Sequence, residues 1–200
     1  KLFNAKAVLP GLMIASNSVV FGALIPFAPL LAAERHLAHV QWFYLVYALT
    51  LIGSRFVTAK WADRYGRDVV VVPGQAVVIL SLFLFGWSAS TPAFLACAAL
   101  YGLGAGVVQP SLIAIAADRT RPEERGSAMA TFTMFTDLGS AAGSFLMGRL
   151  GELYGYPTAL LAVAVACFAG WILFIVKSRQ GTLTPHAPQR LGPRLPRPAA

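Results

Sequence analysis

One acidic residue lies deep inside an otherwise uncharged stretch of this sequence. Asp137 is the single formally charged residue between Gly126 and Gly148, eleven positions from either end of that stretch. At the centre of a membrane-spanning helix an aspartate costs roughly 2.5–3.5 kcal/mol, and residues with that cost are typically functional. Asp137 is therefore a candidate for binding and releasing a proton, or for binding a substrate cation. The alternative is a hydrogen-bonded residue packed between helices, or a contact at a helix end.

Neutral polar residues also occur within the apolar stretches. Asn17 lies between two serines, Gln109 precedes a proline, and Tyr44 and Tyr47 are three positions apart, a spacing at which helical side chains are neighbours. Such groups either line a cavity or form hydrogen bonds between packed helices. The stretches contain no cluster of histidines, cysteines or acids, so the sequence predicts no catalytic group, no metal site and no cofactor.

The composition identifies the surroundings in which these residues act. Hydrophobic residues make up 57% and charged residues 12% of the 200 positions, and the mean hydropathy is +0.66. A soluble domain of this size cannot bury so much apolar surface in one core, and disordered chains have the opposite composition. The formal net charge of +8 does not indicate nucleic-acid binding, because the cationic residues flank apolar stretches. Most of the chain is therefore expected to lie in a lipid bilayer.

Uncharged stretches long enough to cross a bilayer recur along the chain. The 49-residue run from Val69 to Ala117 exceeds the roughly 20 residues that one crossing needs, and it divides at the small polar residues before Pro92. The stretches lack the alternation of a membrane β-barrel. We predict an all-α integral membrane protein, a bundle of six transmembrane helices at about 8–33, 38–59, 69–88, 93–117, 126–149 and 156–177, with a lead-in at 1–7 and a basic, proline-rich, disordered tail at 178–200.

The distribution of lysine and arginine predicts which helix ends face the cytoplasm. With the helices placed as predicted, fourteen of the sixteen lysine and arginine residues lie on the side of the membrane that holds the two termini. Only Arg35 and Arg149 lie on the opposite side. Positively charged residues accumulate in cytoplasmic loops. Both termini of this multi-pass protein are therefore expected in the cytoplasm.

The segment between the second and third predicted helices carries a distinctive set of polar residues. It places an acid beside two arginines, close enough for ion pairs, together with a glycine suited to a tight reversal. The segment resembles the G-x-x-x-D-R-x-G-R-R signature of the major facilitator superfamily, found between helices two and three and repeated more weakly between helices eight and nine. The sequence departs from that signature at Ala59 and Asp68, and it matches at Asp63, Arg64, Gly66 and Arg67.

Further segments resemble the second half of that family. Asp118 follows the fourth predicted helix and Arg125 precedes a glycine at the start of the fifth, as in the family's loop between helices ten and eleven. Asp137-Leu138-Gly139 is similar to the eleventh helix of many bacterial efflux permeases. The resemblance covers about 8–177 and implies helices seven to twelve of a twelve-helix protein. It also implies a cytoplasmic ion-pair cluster that holds one conformation, formed by Asp63, Arg67, Asp118 and Arg125.

The resemblance implies a function for the whole protein. We expect a secondary transporter of the bacterial inner membrane that moves a small organic molecule by alternating access, with efflux by proton antiport. Its cavity is expected to lie between helices one, two, four and five and a second six-helix half. That half is either the N-terminal part of the same polypeptide or a second copy of this chain, since we interpret a chain starting at Lys1 as a fragment.

Two other classes of protein compete with the transporter. One is a non-transporting receptor or assembly module derived from a transporter half. The other is a membrane enzyme, which is disfavoured because the predicted helices contain one acid and no catalytic cluster.

Overall fold

Six α-helices make up most of the described chain. The computed structural model describes the backbone of residues 8–65, 67–118 and 120–177, and the side chains of 11–56, 69–118, 120–173 and 175–176. The helices are α1 (Val8–Glu34), α2 (Gln41–Tyr65), α3 (Arg67–Trp87), α4 (Thr91–Asp118), α5 (Arg125–Tyr154) and α6 (Tyr156–Lys177), with a short 3-10 turn at Pro122–Glu124. The prediction of an all-α fold with six long helices is confirmed.

Two helices differ from the predicted boundaries by three residues or more, whereas the other four agree to within two residues. α2 runs from Gln41 to Tyr65 rather than from 38 to 59, and α5 continues to Tyr154 rather than to 149. The predicted boundaries followed the ends of the uncharged stretches. A helix can continue beyond the hydrocarbon layer into the polar interface, because its backbone hydrogen bonds are internal.

Four helices are long and apolar enough to cross a membrane, counted over the described residues: Gly11–Glu34, Val69–Trp87, Thr91–Asp118 and Tyr156–Leu173. α5 is less apolar, because five glycines and several hydroxyl side chains are spread over its 30 residues. Large apolar side chains cover the outside of the bundle, and Phe145 and Trp87 are 72% and 80% exposed. An exterior of this kind suits lipid rather than water.

The helices pack as two equivalent sets of three. α1 lies between α5 and α6, with its most extensive contact on α5, whereas α4 lies between α2 and α3. The bundle thus has an internal repeat, in which α1 corresponds to α4, α2 to α5 and α3 to α6. Replacing each helix by its counterpart gives the same pattern of neighbouring helices. α1 and α4 therefore lie at the centre, α2 and α5 flank them, and α3 packs on α6. Internal repeats of this kind are common in membrane transport folds.

Close backbone contact joins α1 to α5. A Cβ atom added to Gly139 would collide with the backbone of Ala15, and one added to Gly143 would lie 2.9 Å from the Cα of Val19. Gly102 of α4 approaches α2 as closely, since its added Cβ would be 2.6 Å from a carbonyl oxygen of that helix. These glycines mark the places where helix backbones touch.

The end of α1 caps two other helices. Glu34 accepts a hydrogen bond on Oε2 from the backbone N–H of Tyr156, at the start of α6, over 3.2 Å. The next residue, Arg35, donates from its guanidinium to the carbonyl oxygens of Phe85 and Ser88, at the end of α3. A carboxylate at a helix N-terminus and a cation at a C-terminus both complement the helix dipole. Two adjacent residues thus fasten α1 to α6 and α3.

Candidate functional site

The candidate site is built on α5 around Asp137. Thr133, Asp137, Ser140 and Ser144 are four, three and four residues apart, which places them on one side of the helix. Asp137 and Thr133 are exposed, and the two serines are half-buried. We refer to these four residues as the polar stripe. The sequence analysis found only Asp137, although the spacing of the hydroxyl residues was available as a signal.

Two prolines interrupt α1 just beyond the level of Ser144, the last residue of the polar stripe. Pro26 and Pro29 lie within the helix, and a proline lacks the N–H that would bond to the carbonyl oxygen four residues earlier. The carbonyl oxygens of Gly22 and Ile25 therefore lose their usual partners in α1. Each such group left unsatisfied inside a membrane costs several kcal/mol, so groups from other helices must replace the missing donors.

Side chains from both flanking helices supply these donors. The Ser144 hydroxyl of α5 donates to the Gly22 oxygen over 2.9 Å, and the Tyr44 hydroxyl of α2 donates to the Ile25 oxygen over 3.1 Å. The two carbonyls are three residues apart, so α2 and α5 meet α1 within about one turn. Tyr44 remains 39% exposed. Ser144 of the polar stripe and Tyr44 thus reach the proline-interrupted part of α1 from two different helices.

The other predicted cavity residues on α2 and α4 lie in different surroundings. Tyr47 is half-buried and stacks on Tyr101 of α4, with ring centroids 5.4 Å apart. Gln109 is exposed on α4, directly before Pro110. Tyr47 therefore belongs to the aromatic interior, whereas Gln109 lies on the surface of this bundle.

Asn17 lies inside the bundle rather than on an exposed face. Its Nδ2 donates to Gln75 Oε1 of α3 over 3.0 Å, and Gln75 Nε2 donates to Cys167 Sγ of α6 over 2.9 Å. Asn17 thus makes the interhelical hydrogen bond that the packing interpretation requires. The sequence analysis missed Gln75, although an amide in the third apolar stretch was a signal for such a contact.

Most of the predicted cytoplasmic ion-pair cluster falls outside the described side chains. Asp63 and Arg64 lie in the last turn of α2 and Arg67 opens α3, each described by its backbone alone, and Gly66 lies outside the described residues. Asp118 ends α4 and Arg125 begins α5, and both are exposed. The two helix junctions lie at the same end of the bundle, because consecutive helices alternate in direction. The ion-pair cluster remains a prediction.

The chemistry of the site follows from its charge and its polar groups. The stretches 11–33, 41–54, 91–117 and 126–148 carry one formal charge between them, Asp137. Within the described part of the chain, no three histidine, cysteine or acidic side chains are grouped to hold a metal ion. The site therefore offers one carboxyl group and several hydroxyls in apolar surroundings, a combination that can bind a proton, a cation or a hydrogen-bond donor.

Two relatives show the extent of similarity along the sequence. An uncharacterized MFS-type transporter of Burkholderia mallei is 32% identical over 180 residues, which cover 88% of this chain and 44% of that protein. An uncharacterized MFS-type transporter of Salmonella typhimurium is 30% identical over 161 residues, with 80% and 42% covered. The chain thus spans less than half the length of these relatives.

Solved structures share the helix arrangement at lower sequence identity. The human organic anion transporter MFSD10 matches with a TM-score of 0.76 and 21% identity, over 84% of this chain and 40% of that one. A peptide transporter in complex with sulfate matches with a TM-score of 0.78 and 18% identity, over 88% and 38%. These similarities concern the fold alone.

The family assignment combines these findings with the architecture. The fold consists of long apolar helices in two equivalent sets of three, with an apolar exterior. The family model described as Major Facilitator Superfamily matches residues 11–199. This multi-pass membrane chain belongs to the major facilitator superfamily of transporters.

Proposed function

We propose that the complete polypeptide is a proton-coupled secondary transporter that exports a small organic molecule across the bacterial inner membrane. The observation that carries the proposal is the exposed Asp137, near the middle of α5 and on the polar stripe. Lipid strongly disfavours a carboxyl group at that depth, and intramembrane acids face a bundle interior or a water-filled cavity. The polar stripe therefore faces such a cavity in the working protein.

The opposite wall of this cavity comes from a second six-helix unit. The chain covers 44% and 42% of the two relatives' lengths, and alternating access moves one bundle against another around a shared site. We assign this chain to helices seven to twelve and the opposite wall to the N-terminal part of the same polypeptide, or else to a second copy. From this half, Tyr44, Gln109 and Asp137 line the cavity.

Alternation also needs contacts that form in only one of two conformations. Ion pairs at the cytoplasmic end suit this role, because they are paired in one state and hydrated in the other. A free-energy difference of about 1–3 kcal/mol is enough to bias a two-state equilibrium. With both termini in the cytoplasm, the residues we assign to this switch are Asp63, Arg64, Gly66, Arg67, Asp118 and Arg125.

Asp137 supplies the coupling to protons. A carboxyl group exposed to one side of the membrane takes up a proton there, and it releases that proton when the cavity opens to the other side. No lysine or arginine occurs between Gly126 and Gly148 to neutralise the carboxylate permanently. The protonation state of Asp137 can therefore follow the conformational cycle.

The proposal is tested with the full-length protein in liposomes that contain a pH-sensitive dye. Proton movement is recorded after adding each of a panel of cationic, neutral and anionic small organic molecules. Wild type is compared with Asp137→Asn and with Glu152→Gln. Glu152 is an exposed acid on the same helix, 4.0 Å from Arg149, so its variant is the matched control.

We expect at least one compound to move protons in wild type and in Glu152→Gln but not in Asp137→Asn. Asp137→Asn should still exchange that compound, in radiolabelled form, across the membrane. Proton movement at the wild-type rate in Asp137→Asn would contradict the coupling role. A wild-type protein that responds to no compound would favour a non-transporting module and overturn the proposal.

A further inference from the structure

Arg55 is an arginine within α2 to which the proposed function assigns no role. We infer that Arg55 and Gln109 form a subsite that binds the carboxylate of a transported organic acid. The inference deepens the proposed function and rests on it, since it names the class of molecule that the protein carries. We refer to these two residues as the Arg55 subsite.

Contacts between α2 and α4 fix the level of Arg55 in the bundle. A Cβ atom added to Gly102 would lie 2.6 Å from the carbonyl oxygen of Tyr47. One added to Gly106, four residues on, would lie 2.5 Å from the carbonyl oxygen four residues further along α2. The two helices therefore run in the same direction and in step. Four more residues along each helix place Arg55 level with Pro110, the neighbour of Gln109.

This level is well inside the apolar part of the bundle. Pro110 lies eight residues before the end of α4 at Asp118, about 12 Å along the helix, and α4 is apolar enough over its whole length to cross a membrane. Arg55 is exposed there, and no hydrogen bond or ion pair joins it to another group in the part of the chain whose side chains are described. A cation at such a depth is costly, and residues of this kind typically belong to a substrate or ion pathway.

The Arg55 side chain is directed away from the nearer end of α2. Side chains on an α-helix tilt toward its N-terminus, which in α2 is the end at Gln41. The charge of Arg55 acts on the hydroxyl of Tyr47, which lies eight residues nearer that end. A side chain that snorkels to the polar interface beyond Tyr65 would take the opposite direction. The guanidinium therefore stays in the interior of the protein.

Arg55 also lies on the side of α2 that faces α1. Tyr44, Ala48, Leu51 and Arg55 are four, three and four residues apart, which places them on one side of the helix. The Tyr44 hydroxyl on this side reaches the Ile25 carbonyl oxygen of α1. Ala48 is exposed, and its short side chain leaves room for a bound molecule to lie along α2.

The Arg55 subsite offers hydrogen-bond donors suited to a carboxylate. A guanidinium is planar and presents a rigid fork of N–H groups that matches the two oxygens of a carboxylate. The exposed amide of Gln109, at the same level on the neighbouring helix, adds two N–H donors. Ile113 follows one turn later on α4 and is 39% exposed, so an apolar group adjoins the donors. This combination fits an organic acid with an apolar body and repels an ammonium group.

The Arg55 subsite is separate from the proton-coupling acid. Asp137 lies on α5, which has its most extensive contact with α1, whereas α2 has its most extensive contact with α4. Neither Asp137 nor Arg55 takes part in an ion pair among the described side chains. The carboxylate of Asp137 therefore does not neutralise Arg55, and the two charges are available for different tasks.

The test measures whether organic acids protect a cysteine placed beside Arg55. Ala48→Cys is introduced into the full-length protein in lipid nanodiscs, and its reaction with iodoacetamide is followed by mass spectrometry of the peptide that contains position 48. A panel of aromatic and aliphatic carboxylates is compared with their primary amides, which have nearly the same shape and no charge. We expect at least one carboxylate to slow the reaction at least tenfold in a saturable manner, and its amide to have no effect at the same concentration.

Variants separate the charge of Arg55 from its shape. Arg55→Gln should abolish the protection, and Arg55→Lys should retain only part of it, because an ammonium keeps the charge but lacks the planar fork. Arg149→Gln is the matched control, since Arg149 is an exposed arginine 4.0 Å from Glu152 on α5. This control should protect as wild type does.

A second measurement needs no variant of Arg55, in case Arg55→Gln does not fold. Reaction rates with an anionic and a cationic methanethiosulfonate are compared for Ala48→Cys and for Ala141→Cys, each rate divided by that of a free thiol in solution. Ala141 is exposed one turn from Asp137. We expect the ratio of the anionic to the cationic rate to be at least fivefold higher at position 48. Equal ratios would contradict a local positive charge at Arg55.

Several results would overturn the Arg55 subsite. These are a position 48 that does not react, protection by no carboxylate, equal protection by an acid and its amide, and undiminished protection in Arg55→Gln. Neutralisation of Arg55 by an acid of the other half would give the second of these results.

Failure of this inference differs from failure of the proposed function. Asp137-dependent proton movement in the liposome assay, without protection by any carboxylate, would leave the proton-coupled transporter intact and remove the organic acid as its substrate. Absence of Asp137-dependent proton movement with every compound would overturn the proposed function, and the assignment of the organic acid as a transported molecule would fall with it.

Discussion

Adding one methyl group to Gly143 should separate α1 from α5. An alanine Cβ there would lie 2.8 Å from the carbonyl carbon of Val19 and 2.9 Å from its Cα. Ordinary contact begins near 3.4 Å, and the neighbouring atoms are backbone, which cannot rotate away as a side chain does. The two helices must therefore move apart by at least about 0.6 Å, and overpacking of this kind costs about 1–3 kcal/mol.

Helix propensity opposes part of this loss. Replacing glycine with alanine inside a helix gains about 1 kcal/mol, so the net loss expected for Gly143→Ala is about 0–2 kcal/mol. The matched control is Gly148→Ala on the same helix, where the added Cβ would lie 3.6 Å from the nearest atom, on the Phe27 ring. This control should leave stability unchanged or raise it slightly.

A thiol-reactive fluorescent maleimide measures the difference in the purified full-length protein. Cys97 and Cys167 are free and buried, so they react only when the bundle opens during a thermal ramp. Both variants gain the same helix propensity, so they differ by the overpacking cost of about 1–3 kcal/mol. At about 2–4 °C for each kcal/mol, Gly143→Ala should lower Tm by about 2–12 °C relative to Gly148→Ala. Equal Tm values for the two variants would refute the inference that backbone contact at Gly143 determines the α1–α5 packing.

Three further outcomes follow from other contacts. Gln75→Leu should lower stability by about 1–3 kcal/mol in the same thermal assay, because it leaves buried Asn17 without its partner, and the additional change Asn17→Ala should recover part of the loss. Arg35→Ala should lower stability by a similar amount, and Arg35→Lys should restore it only partly, because an ammonium lacks the planar fork that reaches several carbonyls. Single cysteines at Ser90 and Arg121 should react with an impermeant maleimide from opposite sides of the membrane, with position 121 cytoplasmic, and labelling of both from one side would contradict the predicted topology.

Much of the fold could be predicted because lipid imposes simple requirements on the chain. The break between α3 and α4 falls where the sequence indicated it, with α3 ending at Trp87 and α4 beginning at Thr91, directly before Pro92. A proline in the first turn sacrifices no hydrogen bond, since the first N–H groups of a helix have no partner within it. Gly102 and Gly139 each have a second glycine four residues later in the chain. This spacing is typical of close contact between membrane helices, because only glycine allows two backbones to approach so closely.

Partners across the bundle could not be predicted in the same way. The core of a membrane bundle and its lipid-facing surface are both apolar, so hydrophobic periodicity does not distinguish the buried side of a helix from the exposed side. Asn17 and Gln109 illustrate the difficulty, since each is a single amide in an apolar stretch. One is buried against Gln75 of another helix, and the other is exposed.

The direction of Asp137 required contacts from a second helix. Its position in the sequence fixed its depth, because the uncharged residues on either side determine where the helix crosses the bilayer. The contacts between α5 and α1 show which way the carboxyl group faces. Gly139 and Gly143 touch the backbone of α1 on one side of α5. On the adjacent side of α5, Ser144 donates a hydrogen bond to Gly22. Ser144 is seven residues from Asp137, which returns the helix to nearly the same side. The carboxyl group therefore lies on the same side of α5 as Ser144, about 10 Å along the helix from the point where Ser144 meets the proline-interrupted part of α1.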